Sequence, residues 1–415
     1  MAVQPARAAA EAPVDAAAQL PRRPLIDADG RLAGFEFLLP EVMARRLDQG
    51  AADSVLIAHF GALAASARST IDAGRVALLV VPAALPPQRL AAPALSERWR
   101  GLWLALAATA YVAGEQGSRE TLVAAGARLG AVRVPQFGAS FVRIDAAGLD
   151  RDAACAAVAA CRRAAPRQAI VVSGLGDVDD VEAALAAGAA LAAGHYERQR
   201  ARAATAALPP ALGSVTRLLN QLLRGAELPV LAAELRADVG LAYELLRHAN
   251  SPLLGLSRKV DATDQAVMLL GRDALYRWLC ARLLAALPGR TTARALQEIA
   301  LARALLFERL APACGQPPTT LFTLGMLSLL DVMVPMPMDE AVAPLNLPAP
   351  TSAALVRQEG PLGLLLKLAV GLERGELAVA EALAPAFGGL PAVLAAQDAA
   401  WHDARQRAAE LWPRR

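Results

Sequence analysis

Phe141-Val-Arg-Ile-Asp145, an alanine-rich run over 151–164, and then Ala169-Ile-Val-Val-Ser-Gly-Leu-Gly176 together set the fold class of the first half of this chain. Two short runs of β-branched and aromatic residues flank a segment of good helix formers, and that order reads as strand, helix, strand. Similar runs at 76–81, 102–106 and 131–134 carry the alternation across 22–195. Repeated alternation of this kind predicts a parallel sheet covered by helices.

The texture changes near residue 200. An Arg-rich polar stretch, 197–205, is followed by Leu208-Pro-Pro210, which predicts a linker at 201–207. Beyond it the apolar residues fall at helical spacing, as in Val215, Leu218, Leu219, Leu222 and Leu223, and later Leu241, Leu245 and Leu246. Asp261 and Asp264 supply capping chemistry for a helix over 266–270, Gly271 ends it, and Asp273 opens another through 287. The expected organisation is a loosely ordered tail at 1–20, an α/β domain at 21–200 and an all-α domain at 208–415.

Composition narrows the function classes. The chain has 415 residues, 55% of them hydrophobic, with 42 basic against 39 acidic side chains and a formal charge of +3. That balance leaves no electrostatic footprint for nucleic acid, and the paired arginines are scattered without interleaved aromatics. Cysteines 155, 161, 280 and 314 form no C-x-x-C pair, which argues against a disulfide framework or a zinc knuckle and fits a reducing, cytoplasmic setting. No apolar run approaches the roughly 18 to 20 residues a bilayer span needs, so no membrane insertion is expected.

Four segments in order resemble EAL domains, the cyclic di-GMP phosphodiesterase family. Arg23-Pro-Leu-Ile-Asp-Ala-Asp-Gly-Arg-Leu-Ala-Gly-Phe-Glu-Phe-Leu-Leu39 is similar to the opening strand and hairpin, with the name motif on Glu36-Phe37-Leu38. Phe141–Asp145 is similar to the strand ending in Lys-Ile-Asp, 170–176 to the Ala-Glu-Gly-Val-Glu strand, and 188–196 to the closing Gln-Gly-Tyr segment. In the second half, Leu245-Leu-Arg-His-Ala-Asn-Ser-Pro-Leu-Leu-Gly-Leu-Ser-Arg-Lys-Val260 and Asp264-Gln-Ala-Val-Met-Leu-Leu-Gly271 resemble the HDOD domain, a helical signalling module related to HD phosphohydrolases. The resemblance implies a truncated, degenerate TIM-barrel-like EAL domain followed by a helical HDOD domain.

An EAL phosphodiesterase uses carboxylates to hold two divalent metals that activate water. Here the family's Asp-Asp-Phe-Gly stands as Pro135-Gln136-Phe137-Gly138, its arginine as Pro40, its two glutamates as Ser173 and Gly176, its lysine as Arg143 and its glutamine as Ala193. Glu36, Arg143 and Asp145 remain as ligand-binding remnants. Between 22 and 202 there are also fewer residues than the roughly 250 typical of a full barrel, which predicts a shortened barrel with an open wall. In the second half, His248 is expected to pair with Glu244 one turn away, and the His402-Asp403 doublet lacks further histidines for a metal site. Asp177, Asp179 and Asp180 read as helix caps.

These readings predict no catalytic residues, no metal and no cofactor. The expected function is a bacterial signalling adaptor that contacts other signalling proteins in cyclic di-GMP-related regulation. The alternatives are a non-hydrolysing cyclic di-GMP receptor and a divergent metal-dependent phosphodiesterase. Asn250, Arg258 and Lys259 are the candidate partner contacts, although Asn250 with Ser251 and Pro252 is first of all a helix stop and turn.

Overall fold

The structure is a computed structural model that describes residues 21–38, 53–83, 85–196, 212–251, 254, 259–287, 289–334 and 336–412. Eight strands close into a barrel in sequence order: β1 (Arg22–Asp27), β2 (Leu32–Phe37), β3 (Val76–Val80), β4 (Leu102–Leu106), β5 (Arg128–Val132), β6 (Phe141–Asp145), β7 (Ala169–Leu175) and β8 (Leu191–Gly194). β1 runs antiparallel to both neighbours, β2 through a tight hairpin and β8 through Ile26↔Ala192 and Asp27↔Leu191. All other neighbours are parallel.

The expected open wall is therefore corrected, because the shortening falls on the crossovers and leaves every strand in place. Helices α1 (Asp53–Asp72), α2 (Gln116–Ala124), α3 (Arg151–Ala164) and α4 (Val178–Ala186) cover four connections. β3 reaches β4 through short turns, and 133–140 joins β5 to β6 with no helix at all.

Side chains that alternate inward fill the barrel: Leu25, Leu78, Ala105, Phe141, Val171, Leu191 and Ala193. Room for the Phe141 ring comes from Gly130, where a Cβ would lie 2.3 Å from that ring. β5 lies three residues earlier than predicted at its start and ends at Val132, since Arg133 takes φ +73°.

A tight hairpin joins β1 to β2 with no crossover helix between them, so Ile26, Phe35 and Phe37 need cover from elsewhere in the chain. The second half supplies it. Its helices are α5 (Leu212–Leu223), α6 (Leu228–Ala237), α7 (Val239–Ala249), α8 (Thr263–Ala285), α9 (Ala293–Cys314), α10 (Pro318–Leu327), α11 (Ala349–Arg357), α12 (Gly360–Arg374), α13 (Leu377–Leu383) and α14 (Leu390–Leu411), joined by shorter turns. α8 breaks at Gly271, φ 69° and ψ 179°, where the capping pattern predicted a stop.

Trp401 on α14 meets Phe35 edge-on, and the two halves share one continuous apolar core. Buried Arg22 bonds Asp398 at 2.6 Å and lies 5.0 Å over the Phe35 ring. Glu182 on α4 accepts from the Thr292 backbone N–H at 3.1 Å and hydroxyl at 2.8 Å, and Arg290 bonds Asp179 at 2.5 Å.

Among the described residues no single helix is long and apolar enough to cross a membrane. The expected tail at 1–20 and linker at 201–207 lie outside the described residues.

Candidate functional site at the barrel mouth

Because β1 is reversed, its first residues lie beside the C-terminal ends of the parallel strands, the face on which barrels of this kind carry their chemistry. Strand alternation points Arg23, Glu36 and Arg143 to the same interior. Glu36 is fully buried. Its Oε1 accepts from Arg143 Nε at 3.0 Å and Nη2 at 2.8 Å, and its Oε2 from Arg23 Nη1 at 3.2 Å. Arg143 Nη1 also lies 3.3 Å from Asp145 Oδ2. Burial works against the Arg143 charge, but Glu36 and Asp145 more than offset it and hold the guanidinium above its ordinary range.

The three sequence-predicted remnants are thus brought together, with Arg23 as a fourth member that the motif reading passed over. Strand periodicity across 23, 25 and 27 was the signal for it. Asp145 pairs in register with Ser173, whose hydroxyl is buried without a hydrogen-bond partner. Ala193 fills the interior. Pro135-Gln136-Phe137-Gly138 forms the rim after β5, with Phe137 100% exposed. Pro40 lies outside the described residues.

This arrangement does not fit a pair of divalent cations. Glu36 and Asp145 point into the mouth by strand alternation, and both oxygens of Glu36 are engaged by guanidiniums. Among the described residues no three His, Cys, Asp or Glu side chains form a group able to hold a metal ion. Two arginines against two carboxylates leave the cluster close to neutral. Asp177 caps α4 by accepting from the Asp180 N–H at 2.9 Å, as its spacing predicted, while Asp180 takes Arg151 at 2.7 Å and Asp179 takes Arg290.

Arg23 also ties the mouth to the second half, donating from Nη2 to the main-chain oxygen of Arg374 at 3.3 Å, at the C-terminus of α12. The next residue, Gly375 at φ +75°, approaches Leu38 so closely that a Cβ there would lie 2.4 Å from the leucine Cδ1.

In the helical half, Asn250 is a clamp. Its Oδ1 accepts from the Val260 N–H and its Nδ2 donates to the Val260 and Leu246 oxygens, each at 2.8 Å. The amide group fixes both ends of the segment between α7 and α8. Lys259 is exposed and 3.5 Å from Asp261; Arg258 lies outside the described residues.

His248 does not pair with Glu244, because Arg282 takes that carboxylate at 2.8 Å and the imidazole lies near-parallel to Trp278 instead, centroids 6.4 Å apart. His402 contacts Gln406 at 3.0 Å and Asp403 pairs with Arg309 at 2.6 Å, so the doublet is split between two partners.

Residues 206–338 match the HDOD domain family. A Bacillus subtilis protein of uncharacterised function, YuxH, is 31% identical over 134 residues, 32% of this chain and 33% of YuxH. The Vibrio cholerae cyclic di-GMP phosphodiesterase CdgJ is 29% identical over 141 residues, 34% of this chain and 32% of CdgJ. The chain matches about a third of the length of these curated relatives. Similar solved structures include the Xanthomonas citri FimX EAL domain in complex with c-diGMP, at TM-score 0.34 and 13% identity over 42% of this chain and 84% of that one. An EAL domain protein from Listeria monocytogenes gives TM-score 0.33 and 14% identity over 43% and 87%.

Proposed function

We propose that this chain, an eight-stranded barrel followed by an HDOD domain, is a non-catalytic signalling adaptor in cyclic di-GMP-related regulation that works through protein contacts. The observation that carries the reading is the Glu36 carboxylate held between Arg143 and Arg23. Metal-assisted phosphodiester hydrolysis needs a free carboxylate on the cation and a metal-bound water. Here the retained glutamate serves as the counter-ion of two guanidiniums and as a structural pin for β1, β2 and β6. The CdgJ relative supports the regulatory network, and the HDOD match supports a signalling role.

A second reading has its own observation. The Ser173 hydroxyl, buried without a partner beside Asp145, is a donor that a bound molecule would satisfy, which favours a non-hydrolysing cyclic di-GMP receptor. Calorimetric titration of the full chain with cyclic di-GMP separates the two. The adaptor gives no saturable heat, whereas a receptor gives heat that Arg143→Met abolishes together with a ligand-dependent rise in Tm; at a hundredfold excess over Kd that stabilisation is about 2.7 kcal/mol.

A further inference from the structure

Resting on the adaptor reading, we propose that the barrel's outer flank at the helix-free crossover 133–140 is where the adaptor takes its partner, and that the partner is an acidic amphipathic helix. The crossover lies between α2, which packs on β5, and α3, which packs on β6 and β7. That is a position where a barrel of this kind ordinarily carries a helix of its own.

From the end of β5 the crossover descends the outside of the barrel. Its Gln136 oxygen accepts from Gln168 Nε2 at 2.7 Å, and the Ser140 N–H bonds the Leu129 oxygen at 2.8 Å. The outer faces of β5 and β6 are closed, since Leu129, Ala131, Val142 and Ile144 are all buried. Apolar surface nevertheless remains outside: Phe137 is 100% exposed, Val134 on the same crossover 50%, and Val123 on neighbouring α2 54%. A bare phenyl ring near half-exposed valines is surface that a partner would bury, with the aromatic as its anchor. Arg133, at φ +73°, holds a left-handed conformation unfavourable for a residue with a Cβ, and it makes the turn that carries the chain onto the flank.

Charge identifies what covers this surface. No acidic residue lies between Glu120 and Asp145, and none between Asp152 and Asp177. These two stretches contain β5, the crossover, most of α3 and the turn into β7, and they expose Arg128, Arg133, Arg163 and Arg167. Among the described residues none of the four has an ion-pair partner. Arg128 and Arg167 adjoin Leu129 and Gln168, the two residues that bond the crossover, so the basic excess surrounds the apolar anchor. Carboxylates on a partner answer these arginines, and a basic partner is repelled. A helix laid between α2 and α3 continues the barrel's outer layer, with its apolar stripe on Phe137 and Val134 and its acidic residues on the arginines. Single-stranded nucleic acid, another polyanion, calls for successive aromatics to stack its bases, and the crossover offers one.

The test is fluorescence anisotropy with the full chain and three labelled probes: a synthetic helix with leucine at heptad positions a, d and e and glutamate at the rest, the same helix with lysine for glutamate, and oligothymidylate. The acidic helix binds saturably, and the other two do not. Phe137→Ser, at a fully exposed position and so safe for folding, weakens the acidic helix at least about tenfold. Arg163→Gln with Arg167→Gln, also exposed, weakens it about fivefold and flattens its salt dependence. Absence of saturable binding, affinity unchanged in the Phe137→Ser protein, equal binding of the lysine helix, or preference for oligothymidylate overturns the proposal. So does a dimer in sedimentation velocity that Phe137→Ser dissolves, because a second copy would then cover the flank. Saturable heat with cyclic di-GMP would refute the adaptor reading whatever the helices do, whereas silence there with no helix bound would refute this surface alone.

Discussion

The indole of Trp401 meets the ring of Phe35 edge-on, with centroids 4.8 Å apart and planes at 67°, across 366 residues of sequence. This contact makes the helical half the outer cover of β1 and β2. Trp401→Ala removes a buried aromatic and its edge-to-face partner, and it lowers stability by about 3–5 kcal/mol. Both halves are expected to unfold in one transition, which far-ultraviolet circular dichroism and tryptophan fluorescence in the same denaturant series would read. Coincident midpoints are expected in the native chain, and the variant shifts them down.

Gly30 tests the same interface from the barrel side. It turns the β1–β2 hairpin at φ +71°, and a Cβ there would lie 1.6 Å from the Thr291 carbonyl oxygen. Gly30→Ala combines an unfavourable backbone conformation with a clash against main chain, for a loss of at least about 2 kcal/mol. Gly74→Ala is the control, since it shares the positive φ but has open space around its Cβ position. Its loss is confined to the backbone cost of about 1–2 kcal/mol for an L-residue at positive φ.

Glu36→Gln separates a structural pin from a spare metal ligand. Removing the charge leaves Arg143 and Arg23 facing a neutral amide in the barrel interior, and breaking a buried pair from one side costs about 3–5 kcal/mol. A metal-ligand carboxylate kept apart from guanidiniums would respond differently: without metal, its neutralisation leaves stability unchanged or raises it. Chemical denaturation in the presence of a chelator reads the difference.

His248 gives the helical half a pH signature. Burial first, then Arg247 and Arg282, hold its pKa below the ordinary imidazole value. Glu244 and Glu410 line one cavity with His248, and Glu244 is already paired with Arg282. A base whose folded pKa is depressed binds its proton more readily when unfolded. Stability contributed by the neutral ring is therefore full above about pH 6.5 and falls as pH drops from there toward the folded pKa. His248→Asn flattens the stability profile in that window relative to the native chain. Superimposable profiles would contradict the assignment.

Thiol chemistry follows burial. The Cys280 thiol is pushed up to about 12 by burial and Cys161 is raised for the same reason. Both residues are buried in the core. A disulfide reagent at pH 8 labels neither until the chain is unfolded, while half-buried Cys155 and Cys314 react at slow, measurable rates.

Most strand runs and the Gly271 stop were legible in the sequence because each is a local pattern, whereas the opening hairpin came only with the resemblance to EAL domains. The closed barrel was not. β8 is only Leu191-Ala-Ala-Gly194, too short and alanine-rich to announce a strand, and closure depends on its pairing with β1. β5 was misplaced because Gly130 interrupts it, and the reason for that glycine, the Phe141 ring, lies on the next strand.

At the mouth, Glu36, Arg143 and Asp145 were found by motif. Arg23 was passed over, although its period-2 spacing puts it on the same strand face as Leu25; what it meets there depends on the reversal of β1. The His248–Glu244 pairing was the natural reading of their spacing on one helix, and it failed because Arg282, on another helix, takes the carboxylate.

The most direct test of the mouth is turnover of cyclic di-GMP by the full chain with manganese or magnesium, with products separated by chromatography. A Glu36 held by Arg143 and Arg23 predicts no product above the protein-free control. Metal-dependent linear product that disappears in the Glu36→Ala protein would contradict it, and would mean that the guanidiniums yield the carboxylate to a cation.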